Sequence, residues 1–162
     1  MYEEDQNHGG LTDLKVGDLK FAIIAGRWHA EVVQMLIEGA RQALIERGVK
    51  EKQIRVFEVP GSFELPLLAS HLAFSDDYHA IIALGVLVKG ETDHYKAILD
   101  GCTQGLMEVM LSSEVPIGFG VLMVESLGQA QERAGGKYGN KGKEAALVAL
   151  EMANLIQKLE QE

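Results

Sequence analysis

Cysteine is almost missing from this 162-residue chain: Cys102 is the only one. No intramolecular disulfide can form, and the composition fits a reducing compartment. A lone thiol can act as a nucleophile, but Cys102 follows a glycine at an expected helix start, where packing is the expected role. Positive charge is also short. Fifteen Lys and Arg stand against 24 Asp and Glu, for a net charge of −9 and a pI near 5.0. Broad binding to nucleic acid or to an anionic membrane surface is therefore not expected, and any anionic ligand needs a local cluster of cations working against the overall field. No apolar run approaches the roughly 18 residues of a membrane span. The opening "MYEEDQNHGG" is acidic and lacks the apolar core of a secretory signal, so a cytoplasmic protein is expected. His8, His29, His71 and His79 form no metal-ligand spacing with Cys102 or with one another, and no metal is expected. Internal repeats and low-complexity segments are absent too.

What is present is a chain 47% hydrophobic and 24% charged, the profile of one soluble domain with a single sizeable core. Residues 1–18 are polar and read as an extended N-terminal arm, leaving 19–162 as the domain. Two kinds of apolar segment then alternate. "KFAIIAG" (20–26), "QIRVFEV" (53–59), "HAIIALGV" (79–86) and "PIGFGVLMV" (116–124) read as strands. Residues 31–48 place Val32, Leu36, Ala40, Ala43 and Leu44 at helical spacing, with Gly48 as C-cap. A short helix follows over 62–74, with Pro66 in its first turn, and a longer helical pattern over 93–111. Ser126 and Gln129 form an S-x-x-Q capping box for a short helix expected to stop at Gly135-Gly136, and a last helix covers 141–159.

Strands alternating with helices predict a parallel sheet covered on both faces, a flavodoxin-like three-layer α/β sandwich with four strands. Near-continuous hydrophobicity in the strands agrees, because a solvated face would alternate. The last helix is apolar over a broad arc (Ala145, Ala146, Leu147, Val148, Leu150, Met152, Leu155, Ile156), wider than one core-facing stripe needs. A second buried surface, against another subunit, is expected.

All strands of a parallel sheet point one way, so their carboxyl ends share one edge, where ligands bind. The four ends read "GRWH" (26–29), "VPGSFE" (59–64), "VKGETDH" (88–94) and "MVES" (123–126). Trp28 is either a lid on the core or a stacking surface. Glu64 is either favoured by a helix dipole or a ligand group. His94 is either a surface residue or part of the chemistry. The loop "ERAGGKYGNKGK" (132–143) is either a solvated turn or an anion site, since it gathers Arg133, Lys137, Lys141 and Lys143 but has no Walker-type spacing.

The stretches "GRWH", "VPGSFELP", "ALGVLVKGETDHY", "PIGFGVL", "ESLGQAQERAGGKYGNKG" and "ALEMANL" occur in an order that resembles the 6,7-dimethyl-8-ribityllumazine synthase family over about residues 20–158. The resemblance implies a transferase of riboflavin biosynthesis. It would condense 5-amino-6-(D-ribitylamino)uracil with 3,4-dihydroxy-2-butanone 4-phosphate, without metal or organic cofactor. Carried over residue by residue, it makes His94 the proton-transfer residue, which suits an imidazole because that side chain changes charge near neutrality. Trp28, Ser62, Phe63, Glu64, Val86, Leu87, Val88 and Phe119 would hold the aminouracil. Glu91, Thr92, Arg133 and Lys141 would hold the butanone phosphate.

Phe119, Arg133 and Lys141 would come from an adjacent subunit, so the site would be shared within a homopentamer. No insertion between Arg133 and Lys141 separates the chain from shell-forming members, which leans toward a sixty-subunit icosahedral shell, with riboflavin synthase a candidate partner. The sequence departs from the commoner pattern at Trp28, Lys89, Glu91 and Asp93. A carboxylate at 91 would repel phosphate, so Glu91 is expected to point away and offer only its N–H. The competing readings are a non-catalytic flavin-binding module and a shell-forming protein of the same fold.

Overall fold

Short β-branched runs and amphipathic stretches do fold as alternating strands and helices. The computed structural model describes residues 14–162. In chain order these form β1 (Phe21–Gly26), α1 (Ala30–Glu46), β2 (Ile54–Val59), α2 (Leu65–Ala73), β3 (Ala80–Val88), α3 (His94–Ser113), β4 (Ile117–Val124), α4 (Leu127–Glu132), β5 (Ala134–Gly136), β6 (Gly139–Asn140) and α5 (Lys141–Glu160). Single 3-10 turns at Glu51–Gln53 and Ser62–Glu64 lead into β2 and α2.

β1 to β4 form one sheet in the order β2-β1-β3-β4, and every pair is parallel. The period-two geometry of β1 sends Phe21, Ile23 and Ala25 into a core shared with α1 and α5, and Ala22 and Ile24 into a second core shared with α2 and α3. This is the expected flavodoxin-like three-layer sandwich. β1 is buried along its whole length, which is why its sequence shows no alternation. In α1 the buried residues are Val32, Val33, Leu36, Ile37, Ala40, Ala43 and Leu44, a stripe at helical spacing. Each fully buried Leu or Val there contributes about 1.5–3 kcal/mol.

Several boundaries move. The first helix ends at Glu46, and Gly48 follows in a left-handed turn with φ 95°. β3 runs two residues past the expected strand, to Val88, because β4 keeps pairing with it. The 62–74 helix divides into the 3-10 turn and α2, with Pro66 in the first turn of α2. Cys102 lies in the interior of α3 rather than at a helix start, fully buried. Ser126 caps α4 by accepting from the N–H of Gln129, but the Gln129 side chain reaches back to the N–H of Glu125, one residue beyond the expected partner. α4 stops at Glu132 instead of Gly135-Gly136. The glycines instead turn the antiparallel β5–β6 hairpin, with Gly135 and Gly139 at φ 111° and 78°.

Residues 1–13 of the expected N-terminal arm lie outside the described residues. From residue 14 the chain is clipped to the domain. Leu14 and Val16 pack on the α1–α5 core. The buried Gln53 amide donates to the carbonyls of Gly17 (3.0 Å) and Leu19 (2.8 Å), and buried Asn154 donates to that of Lys15 (2.7 Å).

On α5, Ala145, Ala146, Leu147, Ala149, Leu150 and Ala153 are buried. Val148, Met152, Leu155 and Leu159 form a second stripe, each more than 40% exposed. The wide apolar arc thus splits into one face on the core and one that the described residues leave exposed. No helix among the described residues is long and apolar enough to cross a membrane.

Candidate active site

The chain leaves β1 for β2 on one side and then crosses back to β3 on the other, so the sheet order reverses between β1 and β3. Ligands of open α/β sheets bind outside the carboxyl ends of the strands at this point. Strand lengths open the crevice. β1 pairs with β3 only as far as Ala25 opposite Leu84, while β3 goes on pairing with β4 as far as Val88 opposite Val124. Val86, Leu87 and Val88 therefore have a strand neighbour on the β4 side alone. On the β1 side their main-chain groups have no strand partner among the described residues, with Val86 buried and Leu87 and Val88 half-buried.

Close contacts tie the loops of this edge together. The N–H of Arg27 donates to the carbonyl of Val59 at 2.9 Å, which holds the ends of β1 and β2 side by side. Gly61 lies under Trp28: a Cβ there would stand 3.0 Å from indole Cδ1, 3.4 Å from Nε1 and 3.3 Å from Oε2 of Glu64. The indole N–H edge and the Glu64 carboxylate thus flank the same backbone position. Trp28 is 71% exposed, so it does not cap the core. Ser62 is buried with its hydroxyl against Gly85 of β3, and Phe63 is exposed with its ring edge over Gly101 of α3. Trp28, Ser62, Phe63 and Glu64 are brought together beside the open end of β3.

Glu91 and Thr92 are exposed in the turn after β3, and His94 is the exposed first residue of α3. Asp93 stands at the N-cap but makes no side-chain cap bond, so the first N–H groups of this 20-residue helix are left to other acceptors. His29, at the N-cap of α1, is held at φ 60° and ψ 52°, the left-handed region. With Arg27, Trp28 and Pro60 it lines an open depression of about 380 Å³. A non-glycine residue held there is a local strain of the kind that gathers at ligand sites.

Three expected residues stand elsewhere. Phe119 pairs with Ala83 near the amino end of β4, five residues and about 16 Å from the carboxyl edge. Arg133 is the C-cap of α4. It donates to the Gln129 carbonyl (3.2 Å) and lies over the Tyr138 ring (4.9 Å), which the Lys137 ammonium also approaches (5.3 Å). Lys141 opens α5 and pairs with Glu144 at 3.2 Å. The hairpin between them is pinned to the middle of α1, where the Asn140 amide donates to the Met35 carbonyl (3.0 Å). Arg133 and Lys141 thus belong to the α1–α5 layer, and the 62–64 turn and α3 to the opposite one.

Burial pushes the Cys102 thiol up to about 11, so it stays protonated and is no nucleophile. Among the described residues no three His, Cys, Asp or Glu side chains come together as a metal site. Reading the sequence overlooked Gly85 and Gly101, which seat Ser62 and Phe63, and Asn140. The signal for the helical glycines was present: Gly101 and Gly105 lie four apart inside a helix, where glycine is unfavourable unless something approaches closely.

Residues 18–157 match the family model described as 6,7-dimethyl-8-ribityllumazine synthase. The chain belongs to the lumazine synthase family. The lumazine synthase of Stenotrophomonas maltophilia is 49% identical over 140 residues, which cover 86% of this chain and 90% of the relative. That of Xanthomonas euvesicatoria pv. vesicatoria is 48% identical over 147 residues, covering 91% and 96%. All the expected site residues, from Trp28 to Lys141, fall inside the family match.

Proposed function

We propose that this lumazine synthase family member condenses 5-amino-6-(D-ribitylamino)uracil with 3,4-dihydroxy-2-butanone 4-phosphate. The products are 6,7-dimethyl-8-ribityllumazine, phosphate and water, and the step belongs to riboflavin biosynthesis. The 5-amino group adds to the ketone and a first water leaves to give an imine; phosphate is eliminated, and the ribitylamino nitrogen closes the ring on the remaining carbonyl with loss of a second water. The observation that carries the reading is the open end of β3 flanked by Trp28 and the 62–64 turn, in a chain of this family.

Each step then has a residue suited to it. The Trp28 indole offers a flat face for the pyrimidine. The main chain of Val86, Leu87 and Val88 hydrogen-bonds the uracil edge, and Glu64 accepts from ribityl hydroxyls. The N–H groups from Glu91 and Thr92 into α3 hold phosphate, with the Glu91 carboxylate turned away. His94 moves protons among amine, carbonyl and leaving water.

Phe119, Arg133 and Lys141 act on the site of a neighbouring subunit. This is supported by their positions on the amino half of β4 and in the opposite helical layer. The uncovered α5 stripe of Val148, Met152, Leu155 and Leu159 supports a homo-oligomer, with a pentamer as its unit and a sixty-subunit shell as its larger form. The protein works in the cytoplasm.

Mixing the two substrates and following lumazine fluorescence tests the activity. His94→Ala is expected to slow turnover about 10²-fold. Arg133→Ala is expected to raise the KM for the butanone phosphate, and unchanged kinetics in that variant remove its role. A protein that copurifies with yellow flavin and forms no lumazine is a flavin-binding module instead.

A further inference from the structure

We propose that Gly101 is a positioning residue for the aminouracil: its missing side chain sets the seat of Phe63, and with it the height of the 62–64 turn on α3. The inference rests on the reading of that turn given above. His94, Ile98, Gly101 and Gly105 are spaced four, three and four residues apart, so they share one stripe of α3. The aminouracil turn lies down on this stripe. A Cβ at Gly101 would stand 2.9 Å from Cε2 and 3.3 Å from Cδ2 of Phe63, and one at Gly105 would stand 2.7 Å and 2.8 Å from Cβ and Cγ of Pro66.

Glycine is among the least favourable residues for a helix interior; Gly101 stands where the 62–64 turn touches the helix, and Gly105 where the first turn of α2 does. They are not equivalent. Pro66 is a rigid ring in the first turn of α2, so a methyl group at Gly105 would have to push a whole helix. Phe63 is 61% exposed and free to yield, so a methyl group at Gly101 displaces the ring and leaves the core alone. On its other side the turn is held by Ser62, whose hydroxyl would lie 2.5 Å from a Cβ at Gly85 of β3. The turn is therefore caught between two glycine seats, one on the sheet and one on α3. His94 precedes Gly101 by seven residues, about 10 Å along the helix. The stripe that carries the proton-transfer residue is thus the one that fixes the aromatic wall of the aminouracil site.

The test is a double-mutant cycle in the full-length protein, with both KM values, kcat and the melting temperature measured. Gly101→Ala is expected to raise the KM for the aminouracil about tenfold, with kcat and the KM for the butanone phosphate within about twofold of wild type and no loss of melting temperature. In a Phe63→Leu background, where the ring is gone, the same methyl group should leave the aminouracil KM unchanged. An unchanged KM in Gly101→Ala overturns the proposal. So does an equal rise in both backgrounds, or a lowered melting temperature with kcat and both KM values altered together. A wild-type protein that forms no lumazine overturns the functional reading itself, and the proposal with it.

Discussion

Replacing Asn140 should separate two contributions that meet in one side chain. Its Oδ1 caps α5 by accepting from the N–H of Lys143 (3.1 Å), and its Nδ2 donates to the carbonyl of Met35 in α1 (3.0 Å). The amide also lies over Gly39, where a side chain on α1 would collide with it. Loss of an Asn N-cap costs about 1 kcal/mol, and loss of a hydrogen bond between elements about another 1 kcal/mol. Asn140→Ala should therefore cost about 2 kcal/mol, which for a chain of this size lowers the melting temperature by about 4–8 °C. Asn140→Ser keeps a capping oxygen but is too short to reach Met35, so it should lose about half as much. Melts followed by near-ultraviolet circular dichroism, at one fixed protein concentration because subunit association contributes, measure both. A melting temperature for Asn140→Ala within 1 °C of wild type, or a serine variant as unstable as the alanine one, would refute the reasoning.

Two further predictions concern the core. A Cβ at Gly118 would overlap the carbonyl oxygen of Ala145, a backbone atom of α5 that cannot step aside. Gly118→Ala should thus cost about 3 kcal/mol or more, whereas Gly90→Ala, with nothing within 4 Å, should melt like wild type. Cys102 gives a pH signature. Its thiol is raised from 9.0 to about 11 by burial, so between those values the unfolded chain releases a proton that the folded chain keeps. Stability should be fully present below pH 9 and fall by up to about 1.4 kcal/mol per pH unit above it. Denaturant titrations of wild type and Cys102→Ala across that window should diverge. Parallel curves, or rapid labelling of the native thiol by a maleimide at pH 8, would contradict the burial argument.

Much of this protein follows from its sequence alone. Apolar runs at 20–26, 53–59, 79–86 and 116–124, separated by helical periodicities, determine a parallel sheet with two helical layers, because all but the 53–59 run, which becomes the exposed edge strand, need cover on both faces. Parallel strands in turn oblige "GRWH", "VPGSFE" and "VKGETDH" to meet along one edge. The motifs within them resembled one family, and residues 18–157 match it.

Only the tertiary structure decided the rest. Periodicity cannot tell where β3 ends, since that depends on how far β4 follows it, and Val86, Leu87 and Val88 lack a β1 partner because β1 stops first. The glycines near 135–140 carry no periodic signal, so the β5–β6 hairpin and its pin to α1 through Asn140 could not be read in advance. Nor could the seats of Ser62 on Gly85 and Phe63 on Gly101, or the separation of Phe119, Arg133 and Lys141 from the edge. Local sequence determines which elements form. How closely two of them approach is decided by side chains far apart in the chain, and that approach shapes the site.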